Sequence, residues 1–186
     1  MLDFWFRAPG EAEYHRPREA WFRKDDAFDA QIRARFGTLI ERALAGELED
    51  WAAHPAGAVA QIVVLDQFTR NAFRGSARAF AGDARALAAA RALVASGGDR
   101  TQPGVRRQFV YLPFEHSEDL AMQDEAVRLF TQLERDEPAL ADLVLWAGKH
   151  RDIIARFGRF PHRNAALGRV STPEEVEFLK QPGSGF

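Results

Sequence analysis

Two segments and two histidines hold the residue types of this chain that could do chemistry. The stretch "RFGRFPHRNAALGR", 156–169, carries four arginines, a histidine and an asparagine, with no carboxylate. Arginine forks bind carboxylate or phosphate bidentately. Pro161 marks a helix start, whose backbone N–H groups favour anions. A second stretch, "LDQFTRNAFRG", 65–75, sets Asp66 and Arg70 four apart, on one helix face, with Asn71 beside them and Arg74 extending the arginine row. The expected ligand-binding set is therefore Arg70, Asn71, Arg74, Arg159, His162, Arg163 and Asn164, holding an anionic small molecule or a peptide carboxylate. "QFTRN" and "RFPHRN" echo one another, too briefly for a repeat, as two helix ends built to meet similar partners.

Two other readings compete. Asp66, His116, Glu118 and His150 form a possible acid/base set for a hydrolase-type enzyme, with the arginines stabilising developing negative charge. Alternatively the polar residues only staple helices together, since a satisfied buried network fixes one packing among several. Asp66 lies on the side of Val59, Ile62 and Val63. A buried carboxylate must be paired or protonated. His116 stands in "LPFEHSED", read as a helix start where acids suit the dipole. His150 falls on an apolar face, which suits a core histidine or a base in a dry pocket. The chain has no cysteine, and Ser117 reads as a helix cap, so no nucleophile is visible. No paired-histidine metal motif, phosphate loop, dinucleotide fingerprint or nucleophile elbow is present; no metal and no cofactor are expected.

Helices must position these groups. In 25–47, Phe28, Ile32, Phe36, Ile40 and Leu44 step by four between an Asp25 or Asp26 cap and a Gly46 stop, with Gly37 read as a site of close helix approach. From Pro55, Val59, Ile62, Val63, Val64, Leu65 and Phe68 leave almost no polar side, which predicts a central buried helix rather than a strand. A helix from a Ser76 cap to Gly97–Gly98 follows, then a short one stopped by Pro113, then one capped by Ser117 carrying Leu120, Val127 and Phe130. The next starts at Pro138 and ends at Gly158, with Leu143, Trp146, Ala147, His150, Ile154 and Phe157 on its apolar face. "PHRNAALG" predicts two helical turns, and "TPEEVEFL" a capping box of Thr172 and Glu175 with Pro173 at the first helical position. The expectation is one all-α domain over 1–186, with about eight helices and either a free tail or a tucked-back Phe186.

The chain is 186 residues long and 46% apolar, enough for a large core without disulfides. Lack of cysteine fits a reducing compartment, and "MLDFWFRAPG" has no basic start and no unbroken apolar run, so a cytoplasmic protein is expected. No apolar stretch approaches the ~20 residues that span a bilayer. The formal net charge is −2 although one segment holds four arginines, so the rest is acidic and its basic residues alternate with acids. A nucleic-acid partner is not expected from that distribution.

"LDQFTRNAFRG", "AFAGDARAL", "YLPFEHSEDLAMQ" and "IIARFGRFPHRNAALGRVSTPEEVEFL", with "DFWF" and "AWFRKDDAFDAQI" near the start, resemble the bacterial domain-of-unknown-function family numbered 924. The family often has proline where this chain has Thr69, a departure that leaves Asp66, Arg70 and Asn71 untouched. The resemblance implies stacked antiparallel helix pairs, similar to tetratricopeptide-repeat proteins, and no activity. The W-x-x-L-G-x-x-Y signature of ordinary repeats is missing.

Overall fold

Apolar residues at helical spacing fold into helices wherever a cap and a stop bracket them. A computed structural model describes residues 1–185, and among them there are helices and turns but no strand. Eight α-helical segments follow one another: α1 (Leu2–Phe6), α2 (Asp26–Ala45), α3 (55–72), α4 (Asp83–Ala95), α5 (Gly104–Glu115), α6 (Leu120–Asp136), α7 (Asp142–Phe157) and α8 (Pro173–Leu179). None is long and apolar enough to cross a membrane. Phe186 lies outside the described residues. The tail before it folds back, with Ser184 buried and its hydroxyl donating to the Leu179 carbonyl.

Asp25 caps α2 by accepting from the N–H groups of Ala27 and Phe28, and Gly46 closes it in the left-handed conformation. Phe28, Ile32 and Ile40 are buried, while Phe36 and Leu44 are partly so. Gly37 corrects its expectation: a Cβ there would meet nothing within 4 Å, so no neighbour requires the glycine. The aromatic residues of α1 anchor one end of the core. Trp5 packs against Trp21, Phe28, Phe68 and Phe109, with ring centroids 5.4–6.0 Å apart.

α3 is the central helix the sequence predicts, and Val59, Ile62, Val63, Val64, Leu65 and Phe68 are fully buried along it. It is not uniform. An α-helical Pro55–Ile62 passes into a π-helical Val63–Phe68 and back to α over Thr69–Ala72. Such π segments are rare and shift the helical phase. α2 and α4 pack on α3, and α5, α6 and α7 succeed one another by side-to-side contact.

Four expected boundaries are corrected. Ser76 does not cap a long helix; its hydroxyl donates to Phe73 O, a 3₁₀ turn spans Ala77–Phe80, and α4 begins only at Asp83. Pro113 does not stop α5, which runs on to Glu115, with Pro113 inside it. Asp119 rather than Ser117 caps α6, accepting from Ala121 N–H. "PHRNAALG" forms a 3₁₀ turn over Pro161–Arg163 and further turns, not a two-turn α-helix. On α7, Ala147, His150 and Ile154 are buried as the spacing predicts, but Trp146 is 47% exposed. The Thr172 capping box forms in full, with Pro173 opening α8.

Candidate functional site

Asp66 is the centre of a buried polar cluster, and the π segment of α3 carries it. Three donors converge on its carboxylate: Gln67 Nε2 at 2.6 Å, His116 Nδ1 at 2.7 Å and Arg70 at 2.9 Å. Carbonyls of the same segment are served by side chains. The Thr69 hydroxyl donates to Leu65 O at 2.8 Å, and Arg70 donates to Asp66 O at 2.8 Å. Burial opposes ionisation of Asp66, but the charge of Arg70 and the contact with His116 outweigh it and hold the carboxyl below its ordinary range.

The other oxygen-bearing partner is Asp83, at the start of α4. Arg70 donates to both of its oxygens at 2.8 and 3.0 Å, and Arg163 approaches it at 3.4 Å. Gly82 makes this approach possible. A Cβ at that position would collide with the Leu65 carbonyl, so α4 could not begin this close to the π segment with any other residue. Residues from α3, α4, α5 and the 161–163 turn thus meet at one place, and Arg70 and Arg163 share one carboxylate.

His116 is the C-cap of α5, because the helix continues through Pro113, and not part of the following helix start. An ionised Asp66 only accepts, so the His116 ring bonded to it through Nδ1 carries its proton there. Nε2 is then a lone-pair nitrogen, and no hydrogen bond engages it among the described residues. The side chain is 14% exposed. Burial and the charge of Arg70 keep this histidine below its ordinary pKa, against the pull of Asp66.

His150 is buried behind it, its ring 6.3 Å from that of His116. Its Nδ1 lies 2.9 Å from Trp146 O and 3.1 Å from a Glu115 oxygen. Burial lowers His150 to about 3, and burial together with the charge of Asp66 pushes Glu115 up to about 8. Near neutrality this is a pair of uncharged groups. His162 is lowered to about 4, chiefly by burial and then by Arg163.

Like Arg106 and Arg107, Arg163 keeps one buried donor without a hydrogen bond. It is 6% exposed, stacked 4.4 Å from the Phe160 ring and 4.8 Å from the Phe80 ring, yet its Nε makes no hydrogen bond. The long contact to Asp83 is its ion pair. Burial, then repulsion from Arg70, lowers it to about 10.

The remaining residues of the expected ligand-binding set engage other carboxylates. Asn71 and Arg74 both bond Asp29 of α2, at 2.6 Å and at 2.9 and 3.1 Å. Arg159 forks onto Glu175 at 2.6 and 2.8 Å, and Asn164 reaches the same carboxylate at 3.3 Å. Glu118 has both oxygens occupied: Arg169 donates to them at 2.6 and 2.9 Å, and Phe160 N–H adds a third bond at 2.8 Å. Glu118 therefore fastens the 158–170 loop to the α5–α6 connection. The echo between the two Arg-Asn segments has a structural counterpart, since both arginines meet Asp83 and both asparagines meet a buried carboxylate.

Sequence reasoning missed Asp83 and Glu115. Asp83 follows a glycine in "AGDAR", a signal visible only once the close helix approach is known. Glu115 adjoins His116 and was hidden by the expectation that Pro113 ends the helix. Among the described residues, no group of three or more histidine or carboxylate side chains is placed to hold a metal ion.

A family model described as bacterial protein of unknown function (DUF924) matches residues 1–183. The chain belongs to this family. A solved structure described as a protein of unknown function, ATU0120 from Agrobacterium tumefaciens, is similar to it at 38% identity and a TM-score of 0.82, covering 96% of this chain and 94% of that one. No curated protein matches the chain. The DUF924 fold is thus shared over nearly the full length, and function has to be argued from the Asp66 cluster itself.

Proposed function

We propose that this DUF924 protein is a binding module for a small anionic molecule, a carboxylate or a phosphate, held by Arg163 beside Arg70, Asp83 and His116. The supporting observation is the state of Arg163. A guanidinium this deeply buried ordinarily has its donors filled, because an unsatisfied charged donor is costly. Here one donor is unused and the ion pair is long. Nε itself is closed off from solvent, so an incoming oxyanion would meet the Nη1 end of Arg163, sharing or displacing the partly exposed Asp83.

The staple reading is favoured elsewhere by a specific observation. Arg159, Asn164, Arg74 and Asn71 already hold carboxylates at hydrogen-bond distance. In this proposal they lock the 158–175 loop and the α2–α3 contact and do not touch ligand.

The test is thermal melting with inorganic phosphate, adenosine monophosphate and succinate. A ligand at a hundred times its Kd adds ~2.7 kcal/mol, which raises the midpoint of a chain this size by roughly 5–11 °C. Arg163→Gln should abolish the shift. Absence of a shift with every compound, or a shift that Arg163→Gln keeps, would refute the binding module.

A further inference from the structure

His116 and Arg163 belong to one chain of ion pairs through Asp66, Arg70 and Asp83, and resting on the binding reading above, we propose that the Asp66–His116 pair is a general base that activates water to hydrolyse a small carboxylate-bearing ester. Three features carry this. Asp66, itself fixed by Gln67 and Arg70, holds His116 by Nδ1 at 2.7 Å, which fixes the tautomer and leaves Nε2 as the acceptor. His116 is partly open, 14% exposed, whereas His150 behind it is sealed against Glu115 and Trp146. Thr69 is fully buried and donates to Leu65 O, the Ser117 hydroxyl accepts from Asp119 N–H, and among the described residues neither is hydrogen-bonded to His116. Water is the nucleophile assigned here.

Charge selects the substrate class. Arg70 and Arg163 stand against Asp66 and Asp83, so the cluster has no net positive charge to hold a dianion. A single carboxylate, meeting Arg163 at the Nη1 end where Asp83 makes only a long contact, fits it better than a phosphate monoester. In the reaction, His116 Nε2 takes a proton from water while the water oxygen bonds to the ester carbon and the carbonyl electron pair moves onto oxygen. The tetrahedral adduct collapses, the bond to the leaving oxygen breaks, and that oxygen receives the proton from the imidazolium. Ester and water give acid and alcohol, and His116 returns to its neutral form. General-base assistance of this kind contributes ~10²–10⁴-fold in rate.

The probe is 4-nitrophenyl hydrogen succinate, with uncharged 4-nitrophenyl acetate as comparison, on the full-length protein. Saturable release of nitrophenolate, faster for the succinate ester, is expected. Its kcat should fall ~10²–10⁴-fold in His116→Gln, while Arg163→Gln should chiefly raise KM. The rate should drop as His116 protonates, on the acid side of an ordinary histidine; Asp66, Arg70, Arg163, His150 and His162 are the titratable groups facing it. Nitrogen-15 spectra of the unaltered protein should show His116 protonated at Nδ1. A proton found on Nε2, no release above buffer from the succinate ester, or equal rates in His116→Gln would each overturn the proposal. If succinate still raises the melting point through Arg163 while the ester is untouched, the base fails and the binding module stands; if neither occurs, both fall.

Discussion

Replacing Glu115 with glutamine tests how the buried cluster holds its protons. The unfolded carboxyl ionises near 4.5, and the folded one at about 8, because burial and the neighbouring Asp66 charge both disfavour the anion. Between those values the folded chain keeps a proton that the unfolded chain has released, so stability falls as pH rises, at ~1.4 kcal/mol per unit. From the ordinary value to pH 7 this amounts to ~3 kcal/mol. His150 slopes the other way. Its folded value of about 3 lies below the ordinary 6.5, so its contribution grows with pH across that window and is complete above it. His116 and His162 are also lowered and likewise level off above the ordinary histidine value. Glu115 is then left to act alone between about pH 6.5 and 8. Glutamine keeps the neutral shape and an oxygen for His150 Nδ1–H but cannot ionise. Its stability relative to the parent should climb by ~3–4 kcal/mol from pH 5 to pH 8, or roughly 6–16 °C in midpoint. Urea unfolding and thermal melts at half-unit pH steps give the measurement. A difference independent of pH would refute the neutral pair. A variant less stable at every pH would show instead that Glu115 is an anion bonded to a charged His150.

Two further perturbations address the frame of the cluster. Asp66→Ala removes the acceptor of Gln67, Arg70 and His116. It should destabilise by ~3 kcal/mol, the low end for breaking a buried pair, because Asp83 still holds Arg70; an unchanged midpoint in chemical denaturation would reject the pairing. Gly82→Ala drives a methyl group into the Leu65 carbonyl. A loss of ~1–3 kcal/mol is expected; a neutral Gly82→Ala would show that α4 can start elsewhere.

The helical plan was legible in the chain because caps and apolar spacing act locally. Asp25 and Gly46 bracket α2, Thr172, Pro173 and Glu175 start α8, and the unbroken apolar run from Val59 to Phe68 marks the central helix. Local grammar also misled where tertiary packing overrode it. Pro113 sits inside α5 at the cost of one helical hydrogen bond, a cost that the packing of this largely buried helix outweighs, and that continuation decides where Glu115 and His116 fall. The π phase of α3 leaves no pattern in residue types, yet it determines what Asp66 faces.

The sequence by itself put Asp66 and Arg70 on one helix face, where they could pair, since residues four apart on a helix are neighbours; the fold shows that they do. The sequence also brought forward Arg163 and His116 as residues needing a partner. Which partner each finds was decided only by the folded chain. Asp83 lies eighty residues before Arg163, and Asp66 fifty before His116, so neither contact has a local signature. Six of the seven residues the sequence grouped together were dealt out to Asp83, Asp29 and Glu175 by helix packing, because a polar or charged group taken out of water goes to the nearest partner that the fold supplies.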